Sequence, residues 1–126
     1  LISNGSYMQW YIAKIVLRII CGDGSHKPQF DEQLRLVHAA DEQEAFRKAE
    51  AMGLREEDAF LNQQNQLVQW QFINISELKQ LSSLSDGAEL YSRVKEADNA
   101  KRYIDIIHKK AEQICSTFEN RETAVA

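Results

Sequence analysis

The run from Trp10 to Cys21, Trp-Tyr-Ile-Ala-Lys-Ile-Val-Leu-Arg-Ile-Ile-Cys, is apolar on both of its alternating faces. One parity carries Tyr11, Ala13, Ile15, Leu17, Ile19 and Cys21; the other carries Trp10, Ile12, Val16 and Ile20, interrupted by Lys14 and Arg18. Successive side chains of a strand point to opposite faces of its sheet, so this pattern belongs to an interior strand covered on both sides. The run is too short to span a bilayer, and its two cations disqualify it as the apolar region of a signal peptide. What covers the second face is the question the rest of the chain has to answer.

A length of 126 residues suits one domain with one core. That domain is expected over residues 9–118, with residues 1–8 a tag or frayed start and 119–126 a frayed tail. One proline and five glycines leave little room for linkers, and 44% hydrophobic with 27% charged residues is ordinary for a folded protein. A net charge of -4 repels polyanions and makes nucleic acid an improbable partner. Cys21 and Cys115 stand far apart without metal-type spacing, which predicts reduced, structural thiols. With no membrane segment, a cytoplasmic location is expected.

Gly22-Asp23-Gly24-Ser25-His26-Lys27-Pro28 is a turn cluster. It leads to a second strand over about Glu32 to Ala39, with Leu34 and Leu36 on one face and Gln33 and Arg35 on the other, a half-buried pattern that pairs with the first strand. Asp41, with Glu44 three residues on, can cap a helix running to about Met52, whose Ala45, Phe46, Ala49 and Met52 form an inward stripe. Gly53 stands where a left-handed C-terminal cap is wanted. Residues Ala59–Asn62 and Leu67–Ile75 flank a polar quartet and predict a hairpin, with Asn65 the residue to take positive φ. Val68, Trp70 and Phe72 form its core face, while Gln69, Gln71, Ile73 and Ile75 share the other. Ser76 then caps a helical turn through Leu81, and Asp86-Gly87 turns into a last strand, Ala88 to Lys95, that buries Leu90 and Val94. Asp98 or Asn99 opens a long helix reaching about Phe118, with Tyr103, Ile104, Ile107, Ala111, Ile114, Cys115 and Phe118 on one stripe.

The fold class is therefore α+β: a twisted antiparallel sheet of four to five strands, element order ββαβββα, with one helix on the sheet and a long C-terminal helix. The motifs Trp10-Tyr11-x-Ala13-Lys14, Glu32-Gln33-Leu34-x-Leu36-x-x-Ala39, Glu44-Ala45-x-x-Lys48-Ala49 with Gly53, Val68-x-Trp70-x-Phe72, and Asp86-Gly87-x-Glu89-Leu90-Tyr91-Ser92-Arg93 resemble the small bacterial family known as domain of unknown function 4288. The resemblance covers about residues 10–94. It implies a compact bacterial domain and carries no assigned activity. Asn62-Gln63-Gln64-Asn65 departs from the Asn-x-x-Gly turn expected there, and the C-terminal helix lies outside the family core.

No catalytic, metal or cofactor motif is present: His26, His38 and His108 lack ligand spacing, and Gly22-Asp23-Gly24 leads to a strand rather than to a helix N-terminus. No cofactor is expected. The candidates are interaction residues. Lys14 and Arg18 share one face of the first strand, where Glu32 or Arg35 of the neighbouring strand can approach one of them. Tyr91 and Arg93, with Glu89, form an aromatic and polar stripe of the type that interfaces use. These residues predict a non-enzymatic protein-interaction module with an unidentified protein partner. An immunity protein whose acidic surface faces a basic toxin is one concrete form, argued from charge alone. The alternatives are a small enzyme or anionic-ligand domain with a cleft near Lys14, Arg18, Glu32 and Tyr91, and a structural homodimer subunit; the second sheet face is expected to be covered either by the C-terminal helix folding back or by a second copy in a twofold dimer.

Overall fold

The computed structural model describes the backbone of residues 7–125 and the side chains of residues 7–121. The expectation for residues 1–6 lies outside these described residues. The elements run β1 (Gln9–Cys21), β2 (Gln29–Ala39), α1 (Glu42–Arg55), β3 (Asp58–Leu61), β4 (Leu67–Gln80) and α2 (Ala100–Val125). Four antiparallel strands form one sheet in the order β2-β1-β4-β3, which gives the α+β class with four strands. The chain divides into two compact units between Tyr91 and Ser92.

In the first unit β1 pairs with β2 on one side and β4 on the other, the interior position its two-faced apolar pattern demands. α1 covers one face. There Tyr11, Ala13, Ile15, Leu17, Val37 and Ala39 are buried with Ala45 and Ala49 of the helix, and Met52, Ile75 and Leu78 pack at the margin. Burying a side chain such as Ile15, Leu17 or Val37 contributes about 1.5–3 kcal/mol. The Asp41 carboxylate accepts the Glu44 amide at 2.8 Å and starts α1 as expected.

Gly53 departs from its expected role. It has no positive φ, and α1 runs through it to Arg55 with Glu56 as the C-cap. A Cβ at Gly53 would stand 2.4 Å from two ring carbons of Phe72 and 3.1 Å from Ile15 Cγ2, so glycine is there for close approach of helix to sheet. The hairpin forms as read, with Asn65 at φ 60° and the Asn62 carboxamide oxygen accepting the amides of Gln64 and Gln66, each at 2.9 Å.

Two other expectations fail. β4 continues through Gln80, where a helical turn was expected, because register shifts opposite Lys14/Ile15 and Val16/Leu17 each leave one extra residue in the strand. Each shift reverses the parity, so Val68, Trp70, Phe72, Ile75 and Leu78 are all drawn inward while Ile73 is 47% exposed. Residues 88–95 form no strand; Leu90 is 45% and Val94 96% exposed. Without a ladder partner, an alternating pattern alone does not make a strand.

The second unit is α2 with its lead-in. The Asn99 side chain accepts the Arg102 amide at 3.0 Å, which makes Asn99 the start of the helix. Lys101 and Asp105 form an i,i+4 ion pair at 3.2 Å. The helix continues past the expected end at Phe118 to Val125, and Cys115, expected to be buried, is exposed.

Candidate interaction surface on the second sheet face

Strand register puts Trp10, Ile12, Lys14, Val16 and Arg18 on the face away from α1, opposite His38, Leu36, Leu34, Glu32 and Phe30 of β2. On the other flank Lys79, Glu77, Asn74 and Gln71 of β4 oppose Ile12, Lys14, Val16 and Arg18. A half-buried pattern by itself suggests that the Leu34 and Leu36 face is the covered one. The structure reverses this: Asp31, Gln33 and Arg35 take the α1 side, and Phe30, Leu34 and Leu36 lie on the second face, 52%, 49% and 45% exposed. At one end of the row the Trp10 and His38 rings stack with centroids 4.3 Å apart.

Lys14 sits at the centre of this face. Its ammonium is 2.7 Å from a Glu77 carboxylate oxygen and 3.4 Å from one of Glu32, with only 15% of the side chain exposed. The Tyr91 ring lies 5.4 Å from the same nitrogen, and the Tyr91 hydroxyl donates to Glu77 at 3.1 Å. The hydrogen bond to Glu77 raises the Lys14 pKa above its ordinary value, against a smaller opposing effect of desolvation. Lys14, Glu32, Glu77 and Tyr91 thus form one group.

The family model for the domain of unknown function DUF4288 matches residues 10–92. The chain belongs to that family. The match holds α1 and nearly all of the sheet, and it ends within one residue of the boundary between the two units. No curated protein and no solved structure matches the chain.

Within the DUF4288 region Arg18 lies four residues along β1 from Lys14, flanked by Phe30 and Gln71. Among the described residues its Nε is buried without a hydrogen-bond partner. Arg35 opposes Ala13 and is therefore on the α1 side, where its guanidinium pairs with Glu56 and accepts no part in the Lys14 group. Arg93 is exposed and falls in the second unit.

Cys21, Gly22, Asp23, Ser25, His26, Lys27, Gln29 and Gln66 line an open depression at the β1–β2 turn. Its polar groups are tied to the turn itself. His26 Nε2 accepts the Cys21 amide at 2.9 Å, so its Nδ1 carries the proton and donates to the Lys27 carbonyl. Asp23 accepts the Ser25 amide at 2.9 Å, and its hydrogen bonds to Ser25 lower its pKa. Among the described residues there is no group of three or more His, Cys, Asp or Glu side chains placed to hold a metal ion, and no helix is long and apolar enough to cross a membrane.

Sequence reasoning missed Glu77 and the Phe30, Leu34, Leu36 row. Glu77 was concealed by the bulges, which give β4 a three-residue spacing. The β2 row was detectable as an apolar parity, and its direction followed from pairing: Leu34 is opposite Lys14 and so must share its face.

Proposed function

We propose that the DUF4288 domain is a non-enzymatic protein-interaction module that docks a partner on the second sheet face, along β2. The observation that carries this reading is the exposed row of Phe30, Leu34 and Leu36 beside the Arg18 guanidinium, whose Nε lacks a partner among the described residues. Exposed apolar side chains gathered on one face mark contact surfaces, and arginine is enriched at the energetic centres of such contacts. The fitting partner offers an apolar patch over the leucines and a carboxylate or carbonyl oxygen to Arg18. Lys14 supports the same reading: its charge is engaged by Glu77 and Glu32, which leaves it poorly placed to receive an anionic substrate.

The test is affinity capture from the native host at low and moderate salt, with the parent chain and a Phe30→Asp, Leu34→Asp chain as paired baits. A protein retained by the parent and lost with the double variant supports the reading. Recovery of nothing beyond the chain itself, or equal recovery by both baits, overturns it.

A further inference from the structure

The helix α2 presents Ile104, Ile107, Ala111, Ile114 and Phe118 at successive spacings of three, four, three and four residues. That alternation is the a/d spacing of a heptad seam, the pattern by which one helix packs against another, and Tyr103 and Cys115 flank it on the same stripe. The four large side chains of the seam are 44–57% exposed. Ala111 at the middle of the seam lets a partner backbone approach closely, with isoleucine on either side to fill the space above and below.

The charges identify the occupant. The N-terminal half of α2 carries Lys101, Arg102, Lys109 and Lys110 against Asp105 and Glu112; the C-terminal half carries Glu119 and Glu122 against Arg121. No acidic residue lies in the first turn and no basic residue in the last. This distribution opposes the helix dipole, which favours anions at the N-terminus and cations at the C-terminus. A second α2 running in the opposite direction offsets the cost, since each cationic half then lies beside an acidic half and the two dipoles oppose. A parallel copy would place like charges together.

We infer that α2 is a self-association element that pairs with the α2 of a second copy of this chain, antiparallel, along the Ile104–Phe118 seam. The inference rests on α2 alone and is independent of the partner proposed for the sheet face.

Light scattering and sedimentation of the full chain at tens of micromolar are expected to give twice the 14.5 kDa chain mass. The apparent dissociation constant should rise with added salt. Ile107→Asp with Ile114→Asp should return the mass to that of one chain, with the sheet signal in circular dichroism retained. Orientation is read by energy transfer between chains labelled through Lys101→Cys or Arg121→Cys in a Cys21→Ser, Cys115→Ser background. The two positions lie about 30 Å apart along one helix, so mixed 101/121 pairs should transfer strongly and like pairs weakly. A monomeric parent, a dimer that survives the double aspartate variant, or stronger transfer between like pairs overturns the inference.

Discussion

Gly53 of α1 rests so closely on Phe72 of β4 that a methyl group on the glycine would stand 2.4 Å from the ring. Gly53→Ala gains about 1 kcal/mol of intrinsic helix propensity, and it forces the ring or the helix to move in a packed core, which costs about 1–3 kcal/mol. The net expectation is a lower urea midpoint with an unchanged slope. Phe72→Leu removes the obstructing edge, so the two substitutions together should cost less than the sum of their separate effects. A Gly53→Ala chain more stable than its parent would show that the helix does not sit this close.

Much of the fold was legible because local chemistry and tertiary structure agree: the two-faced pattern of Trp10–Cys21 marks the interior strand, Asp41 caps α1, and Asn65 takes the positive φ. Gly53 misled because glycine near a helix end serves both caps and close approaches, and only the position of Phe72 distinguishes them. β4 misled for a different reason. Strict alternation puts Phe72 and Ile75 on opposite faces and Ser76 offers a helix cap, yet in this strand Phe72, Ile75 and Leu78 share a face because one bulge residue is inserted between each pair. Of the candidate site, the shared face of Lys14 and Glu32 follows from parity, Tyr91 reaches Lys14 from a segment that forms no strand, and the exposed leucines required knowing the register.

Lys14 should impose an alkaline limb on stability. Its pKa is raised in the folded chain, so the protonated form favours folding; the contribution is complete below the ordinary value of 10.5 and is lost as pH rises through the higher folded value. Thermal melts should therefore fall in midpoint above about pH 10.5, and Lys14→Met should remove that component of the fall while lowering the midpoint at neutral pH. Parallel alkaline curves for parent and variant would show that the contacts with Glu77 and Glu32 do not hold in solution.

The hairpin between β3 and β4 turns on a left-handed residue. Asn65 at φ 60° tolerates that conformation, and glycine does so equally well, so Asn65→Gly should change stability by no more than about 0.5 kcal/mol. Asn65→Val places a branched Cβ against the neighbouring carbonyl and should cost about 1–2 kcal/mol. Urea unfolding of the two variants beside the parent measures the difference, and similar losses for both would mean that the turn does not depend on its backbone conformation.

The bulges in β4 make a prediction that a regular strand does not. Ile73 and Ile75 are two apart and would share a face in an unbroken strand, but the shifts between them and β1 send Ile75 against the α1 core and leave Ile73 about half in solvent. Ile75→Ala should cost about 2 kcal/mol or more through lost burial and the cavity left behind, whereas Ile73→Ala should stay within about 1 kcal/mol. Amide exchange offers a second measure, since the unpaired residue at each bulge should exchange faster than its ladder neighbours. Equal losses for the two alanine variants would mean that β4 runs in regular register and that Glu77 does not face Lys14.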